Sequence, residues 1–327
     1  MFRRQTFCIA ILTALCTSAH AQSSASNYPN RPVTLVIPFT PGGSTEFEFR
    51  VYQALLTRAM GQNFMMDYKP GAGSALGTTF VAKAAPDGYT LLGTTSSYAA
   101  VPAAHPDLPY DPINGVTPIS QMTGKTSLVV VRSTLPINNI KELVAYAKAN
   151  PGKLNHVTSG AGGGPHLRAE RLYNVAGVKV NFIHYKGTGP MTIDLLAGRT
   201  DIALTLPTLV VKPIKEGTLR AIGGTGPGKM RDRLMPDIPT VAEQGYPEFG
   251  SVSWGGVFGP PNLPPAILDK ISATFIAVSK DPDAGKALEP TGAMMIGSTP
   301  AEFKAFVAEE INFIKSMVKE LGIKPEL

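Results

Sequence analysis

The chain has 327 residues, of which 43% are hydrophobic and 17% charged, a length and composition that allow two α/β domains with a sizeable core. Its formal charge is +6, but the basic residues are scattered, and no basic run is long enough to indicate nucleic-acid binding. Beyond the first residues, no apolar run approaches the roughly 20 residues needed to span a bilayer.

The first 21 residues have the pattern of a secretory signal peptide. A basic start precedes an apolar stretch over residues 7–15, and an A-x-A motif ending at Ala21 predicts cleavage after that residue. Both cysteines of the chain, Cys8 and Cys16, lie in this segment, so the mature protein is expected to lack disulfides, thiol nucleophiles and cysteine metal sites. Cleavage would leave 28 basic and 24 acidic residues, a charge of +4, which fits an exported protein that handles anions.

Residues 34–50 predict a strand, a glycine turn and a helix in succession. The first six are mostly apolar and β-branched, two adjacent glycines supply the turn, and Thr45 and Glu48 predict a capping box at the helix start. Such a turn presents unpaired N–H groups at the carboxyl end of a strand, where the helix dipole favours an anion. The alternative is a simple connection, in which Glu46 only stabilises the first helical turn.

The rest of the chain continues to alternate between strand and helix patterns. Further strands are predicted over residues 63–68, 89–93, 117–122, 128–132, 154–158, 179–185, 201–206, 219–223 and 252–258. The last helix is predicted to begin at a second capping box, formed by Thr299 and Glu302. This alternation argues for α/β domains with mainly parallel sheets.

Two more polar segments follow predicted strands. The hydroxyl-rich run 94–98 lies where it could donate hydrogen bonds to a ligand, and a solvated loop with a helix cap explains it equally well. Residues 159–166 form a second glycine turn before a helix, with Pro165 suited to the first helical position. Two such turns in separate halves could close on one small anion. His166 is the best histidine candidate for ligand contact, and a helix-start role is its alternative.

The motifs of common enzyme classes are missing from the sequence. It contains no G-x-S-x-G nucleophile elbow, no H-E-x-x-H and no close histidine pair for zinc. The histidines outside the signal segment, His105, His156, His166 and His184, do not combine with a nucleophile and an oxyanion site. We therefore expect no catalytic residues, no metal and no cofactor; an exported hydrolase is the weakest alternative.

Nine short motifs follow one another along the mature chain: YPNRPV from Tyr28, PFTPGGST from Pro38, PGAG from Pro70, AKAAPDGYTLL from Ala82, LPYDP from Leu108, PGKLN from Pro151, PHL from Pro165, YKG from Tyr185 and DIPTVAE from Asp237. Together they resemble the Bug family, the periplasmic solute receptors of tripartite tricarboxylate transporters. The resemblance implies an α/β, type II periplasmic binding protein fold: two α/β domains joined by crossing strands, with a ligand cleft between them. Domain 1 would comprise residues 27–125 and 250–327, and domain 2 residues 126–249.

The resemblance also implies that backbone amides, hydroxyls and ordered waters hold a ligand carboxylate without an arginine clamp. Mapped by motif, one wall of the cleft would comprise Phe39, Thr40, Gly43, Ser44, Thr45, Glu46, Ser96 and Ser97. The other wall would comprise Ser159, Gly160, Gly163, Gly164, His166, Thr205 and Pro207. The implied partners are a small carboxylate (dicarboxylate, tricarboxylate or aromatic acid) and the membrane components of the transporter, served by a monomeric periplasmic receptor. The alternative is a periplasmic carboxylate sensor acting on a membrane two-component kinase.

The chain departs from the family pattern near the expected site. Glu46 stands where aspartate is usual, and residues 205–207 replace a strand end that often carries aspartate or asparagine. Phe47 and Tyr98 are expected to add aromatic character near the mouth of the cleft. These differences predict a ligand whose far end is aromatic or more apolar.

Overall fold

The computed structural model describes residues 27–39, 41, 44–158, 161, 164–185 and 188–322. The predicted signal peptide lies outside these residues. Within the described ranges, no helix combines the length and apolar character required to cross a membrane.

The strands of the described chain are β1 (Val33–Ile37), β2 (Phe64–Tyr68), β3 (Thr90–Thr95), β4 (Thr117–Lys125), β5 (Leu128–Arg132), β6 (Asn155–Thr158), β7 (Asn181–His184), β8 (Ile202–Thr205), β9 (Leu219–Gly224), β10 (Ser253–Gly259) and β11 (Met294–Met295). The helices are α1 (Ser44–Met60), α2 (Ala75–Ala82), α3 (Ser97–Ala104), α4 (Ile140–Ala149), α5 (Gly164–Ala176), α6 (Thr188–Leu196), α7 (Pro207–Lys215), α8 (Pro265–Val278), α9 (Pro282–Leu288) and α10 (Pro300–Leu321).

These strands form two sheets, one in each α/β domain. The first has the order β11-β4-β10-β3-β1-β2, and the second has the order β7-β6-β8-β5-β9. Parallel pairs flank β1 and β6, whereas β10 and β5 run antiparallel to their neighbours. β5 and β10 each follow a crossing from the other sheet, which is the topology of a type II periplasmic binding protein, and the short β11 also pairs antiparallel with β4. The predicted fold class is confirmed.

The prediction of mainly parallel sheets is wrong, because five of the nine pairs among the described strands are antiparallel. Both faces of the first sheet are nevertheless buried, since helices cover each side. Along β1, Leu35 and Ile37 pack into the cluster that contains residues of α1 and α8, whereas Val36 packs into the cluster of α10. Because successive side chains point to opposite faces of a strand, one apolar run supplies two core layers. This packing fixes the carboxyl ends of β1 and β3, where the helices α1 and α3 begin.

The capping box predicted at Thr45 and Glu48 is wrong. Helix α1 begins at Ser44, so Thr45 lies inside it. The Glu48 carboxylate instead accepts a hydrogen bond from Thr123 Oγ1 at 2.8 Å and forms an ion pair with Lys125. The Glu48 carboxylate therefore binds residues of β4, which are distant in sequence, and does not cap the start of α1.

The capping box at Thr299 is confirmed. Thr299 Oγ1 accepts from the Glu302 amide at 3.3 Å, and the Thr299 amide donates to Glu302 Oε2 at 2.8 Å. The backbone hydrogen bond from Thr299 is the main cause that holds the pKa of Glu302 below its usual value. The contribution of the box is therefore present at neutral pH and lost as the pH falls through the lowered pKa.

We expect the Thr299→Ala substitution to lower the free energy of unfolding by about 1 kcal/mol, because it leaves an amide at the start of α10 without its cap. Urea denaturation at pH 7 measures this loss. Ser316→Ala is the matched control, since Ser316 is an exposed hydroxyl within α10 that donates to the Phe313 carbonyl. Equal losses in the two variants would contradict a capping role.

Candidate functional site

Two connecting segments join the sheets, and Thr225 links them. Its hydroxyl accepts from the Ser127 amide at 2.8 Å and donates to the Ser251 carbonyl at 2.9 Å. The Thr225 amide also donates to the Ser127 carbonyl at 2.9 Å. The crossing between β4 and β5 is thus hydrogen-bonded to the crossing between β9 and β10.

A cavity of about 240 Å³, here called the larger cavity, lies beside these crossings and is lined by residues of both domains. Its polar lining is rich in hydroxyl side chains: Thr95, Ser96, Ser97, Ser127, Thr225, Ser251 and Ser253. Several of these hydroxyls bond to each other, with Ser96 Oγ 3.2 Å from Ser253 Oγ and Thr95 Oγ1 3.1 Å from Ser97 Oγ. Hydroxyls donate and accept, so this lining can reorient toward a ligand.

Two helices begin at the larger cavity. Helix α3 starts at Ser97, and α5 starts at Gly164; both residues line the cavity. The first amides of a helix have no intrahelical acceptor, and the helix dipole places partial positive charge there. Together with the hydroxyls, these helix starts make the larger cavity suited to a small anion.

The charged groups of the larger cavity belong to an ion pair between the domains. Arg168 of α5 lies 2.5 Å from Glu310 Oε1 of α10 and donates to the Gly250 carbonyl at 3.3 Å. Its guanidinium also lies 4.8 Å from the centroid of the Phe313 ring. An arginine is therefore present in the lining, but its charge is compensated by Glu310, and the prediction that no arginine clamps the ligand stays a prediction.

A second cavity of about 150 Å³, here called the smaller cavity, adjoins the first and shares Thr95 and Ser253 with it. Its other lining residues are Thr45, Glu48, Thr123, Lys125, Leu206 and Trp254. The side chains of Glu48 and Lys125 are 9% and 11% exposed, so this ion pair is almost enclosed. The two cavities together form one cleft between the domains.

The structure places part of the predicted site in this cleft. Ser96, Ser97 and Gly164 line the larger cavity, and Thr45 lines the smaller one. Several predicted residues lie outside the described part of the chain: Thr40, Gly43, Ser159, Gly160 and Gly163. Ser44 is described only as the first residue of α1. The role of these residues in binding stays a prediction.

Other predicted residues lie near the cleft but do not line either cavity. Glu46 accepts from Arg50 Nε at 2.6 Å, along its own helix. Phe39 packs against the core of the first domain, Thr205 is 4% exposed and Pro207 is buried at the start of α7. Leu204 and Leu206, which flank Thr205, line the cavities instead, because alternate residues of a strand face opposite sides.

His166 is buried beside the cleft, in a cluster of histidine and aromatic side chains. It is 3% exposed, its ring centroid lies 4.6 Å from that of His184, and its Nε2 lies 3.5 Å from Glu170 Oε1. In the same cluster, His156 Nδ1 lies 2.7 Å from the Tyr173 hydroxyl. Complete burial lowers the pKa of His156 to about 3. His166 is not among the described residues that line the two cavities, and its contact with a ligand stays a prediction. His156 is a packed, neutral histidine, as its strand position predicts.

The expectation of aromatic side chains at the mouth is wrong for Tyr98. Tyr98 is 1% exposed, and its ring stacks on that of Phe258 with centroids 4.7 Å apart. Its hydroxyl donates a hydrogen bond to the Pro112 carbonyl at 2.6 Å. Phe47 is 47% exposed but lines neither cavity. The smaller cavity is of mixed polarity, because Leu206 and Trp254 share its lining with the Glu48–Lys125 ion pair and hydroxyl side chains.

Sequence reasoning missed the residues supplied by the crossings and by α10. Ser127, Ser251 and Ser253 could have been identified from the sequence, because hydroxyl residues flank the strands that cross between the domains. No sequence pattern indicates the ion pairs of Arg168 with Glu310 and of Lys125 with Glu48, since their partners are far apart in sequence. Within the described ranges, no group of three or more histidine, cysteine or acidic side chains could hold a metal ion.

Comparison with known proteins places this chain in a family. Residues 48–323 match the family described as "Tripartite tricarboxylate transporter family receptor". Protein BugT of Bordetella pertussis is 34% identical over 307 residues, covering 93% of each chain. Two solved structures are each 29% identical to this chain. An R. palustris protein with adipate has a TM-score of 0.71, and the match covers 91% of this chain and 99% of that chain. MatC from Rhodopseudomonas palustris with bound malate has a TM-score of 0.69, and the match covers 89% of this chain and 100% of that chain. With such matches along nearly its whole length, the chain belongs to the Bug family of tripartite tricarboxylate transporter receptors.

Proposed function

We propose that this protein is a periplasmic receptor that binds a small carboxylate in the larger cavity. The observation that carries this proposal is the convergence of hydroxyl side chains with the starts of α3 and α5 at one cavity between the domains. A carboxylate needs several donors, and this lining offers them although Arg168 is held by Glu310. The relatives with adipate and malate support a carboxylate ligand.

Binding would proceed by closure of the two domains around the ligand. We place domain 1 at residues 27–125 and 250–327 and domain 2 at residues 126–249, with the bending region at the crossings that Thr225 links. A ligand that contacts both domains favours the closed state by its differential affinity. The ligand-binding set then includes the predicted residues outside the described ranges, which belong to the two glycine turns.

After cleavage behind Ala21, the receptor would act as a monomer in the periplasm and deliver its ligand to the membrane components of a tripartite tricarboxylate transporter. It would return the ligand unchanged, with no catalytic residue and no cofactor. A sensor for a two-component kinase would use the same cleft. Uptake of the labelled ligand in a deletion strain distinguishes the two: a receptor's loss abolishes uptake, and a sensor's loss leaves transport in place.

Native mass spectrometry of the purified protein, followed by calorimetry with carboxylic acids, tests the binding function. We expect a co-purified acid with one molecule per chain and a saturable binding isotherm. Stoichiometric recovery of the unchanged acid would agree with a receptor, whereas turnover would contradict it.

The Ser97→Ala substitution is expected to weaken binding of that acid by about 10- to 100-fold, because a hydrogen bond to a charged group is worth about 1.5–3 kcal/mol. Calorimetry of the variant measures the change in Kd. Ser316→Ala, which removes an exposed hydroxyl of α10 away from the cleft, is the control. Unchanged affinity in the Ser97 variant would contradict the placement of the carboxylate.

A further inference from the structure

The smaller cavity has a built polar end whose charges come from two buried side chains. Glu48 Oε2 accepts from Thr123 Oγ1 at 2.8 Å, and Glu48 Oε1 pairs with the Lys125 ammonium. Among the described residues that line this cavity, these two are the charged ones, and their formal charges cancel. The hydroxyl-bearing residues Thr45, Thr95 and Ser253 complete the lining.

The ion pair leaves hydrogen-bonding capacity on both partners. An ammonium has three donors, and among the described residues Glu48 is the one partner of the Lys125 ammonium. A carboxylate accepts about four hydrogen bonds, and Glu48 accepts from Thr123 and Lys125. Both groups line the cavity, so the remaining donors and acceptors are open to a molecule inside it.

The hydrogen bond between Thr123 and Glu48 depends on the glycine at position 255. A Cβ at this position would lie 2.7 Å from Thr123 Oγ1 and 3.5 Å from Glu48 Oε2. Any side chain here would therefore press against the hydrogen bond between Thr123 and Glu48. Glycine at this position therefore keeps the Glu48 carboxylate oriented by Thr123 at the edge of the smaller cavity.

We propose that the group formed by Glu48, Thr123, Lys125 and Gly255, here called the Glu48–Lys125 subsite, binds the far end of the ligand and selects an uncharged group that both donates and accepts hydrogen bonds, a hydroxyl or a primary amide. This proposal rests on the proposed function, in which the carboxylate occupies the adjoining larger cavity. The shared lining residues Thr95 and Ser253 allow one short molecule to span both cavities.

Charge explains why a second carboxylate fits the subsite poorly. It would compete with Glu48 for Lys125 and would lie beside the Glu48 carboxylate, a like charge held in an almost enclosed site. An apolar end would leave the open donors and acceptors without partners, which is costly in a buried site. A hydroxyl or amide can donate to Glu48 and accept from Lys125 at the same time.

Calorimetry with two matched series tests the selection: 4-hydroxybutyrate, succinamate, succinate and butyrate, and 6-hydroxyhexanoate, adipamate, adipate and hexanoate. We expect the hydroxy acid or the amide of at least one series to bind at least 10-fold tighter than the dicarboxylate and the unsubstituted acid. Dicarboxylates that bind as tightly or more tightly in both series would overturn the subsite while leaving carboxylate binding intact. If none of the eight acids binds while the co-purified acid does, this inference is overturned and the proposed function stands. If no carboxylic acid binds, the proposed function fails, and this inference fails with it.

The Glu48→Gln variant gives a readout that a structural role would not produce. It keeps an acceptor for Thr123 but frees the charge of Lys125, so the preference should shift at least 10-fold toward the dicarboxylate. Lys125→Met should instead abolish the advantage of the hydroxyl or amide end. Asp201→Asn is the control, because Asp201 is a buried carboxylate that pairs with the partly exposed Arg132 at 2.8 Å and lines neither cavity. An unchanged ligand order in the Glu48 variant would overturn the proposal.

Discussion

Replacing Arg168 with methionine is expected to lower the free energy of unfolding by about 3 kcal/mol at neutral pH, because it leaves Glu310 without its buried partner. The side chains of Arg168 and Glu310 are 10% and 15% exposed, so solvent compensates little of the lost charge pair. Methionine keeps an apolar stem against Phe313, which limits the loss to the ionic contact. Urea denaturation measures the change.

Arg199→Met is the matched control for this prediction. Arg199 also pairs with a carboxylate at 2.6 Å, that of Asp194, but its side chain is 68% exposed. Exposed ion pairs contribute less than about 1 kcal/mol. Similar losses of unfolding free energy in the two variants would show that the buried pair of Arg168 and Glu310 stabilises the fold no more than an exposed pair.

The Arg168 variant is also expected to bind its acid more weakly. The pair connects α5 of one domain with α10 of the other, and Leu167 beside it is buried in the cluster that contains residues of α10. Loss of this contact would favour separation of the domains and so lower the population that can enclose a ligand. An increase in the radius of gyration by small-angle X-ray scattering would accompany the weaker binding.

Acidification from pH 6.5 toward pH 3 is expected to destabilise the fold by up to several kcal/mol through His156. Burial lowers the pKa of this imidazole to about 3, so the unfolded chain takes up its proton at a higher pH than the folded one. The stability it contributes is present above pH 6.5 and is lost as the pH falls. Chemical denaturation at a series of pH values measures this slope.

In His156→Asn, the free energy of unfolding should fall less steeply between pH 6.5 and 3, although the variant is less stable than the unmodified protein at pH 6.5. The asparagine side chain can still pair with the Tyr173 hydroxyl, which the histidine contacts at 2.7 Å. His105→Asn is the control, since His105 lies outside this cluster, at the end of α3. A slope in the His156 variant equal to that of the unmodified protein would contradict the assignment.

The sequence predicts the strands well because their apolar runs are local. β5 is found at its predicted limits, and β10 lies within one residue of them. The two walls of the cleft follow from the same logic, since turns at the carboxyl ends of parallel strands meet at one edge. Ser96, Ser97 and Gly164 are the described residues that illustrate this most directly.

The polar interior of the cleft could not be predicted in this way. Glu48 has the spacing of a capping residue, and only the fold brings Thr123 and Lys125 to it from β4. Tyr98 has the position of a ligand contact, but its hydroxyl finds the Pro112 carbonyl and its ring packs on Phe258. In both cases the side chain contacts a residue that is distant in sequence, and such a contact cannot be predicted from the local sequence pattern.

A crystal structure of the complex with the co-purified acid tests the central claim most directly. We predict that a ligand carboxylate lies in the larger cavity, with oxygens within about 3 Å of donors at Ser96 or Ser97 and at the start of α5. The Arg168–Glu310 pair should stay intact beside it. An acid bound outside the cleft, or a carboxylate that displaces Glu310 from Arg168, would contradict this account.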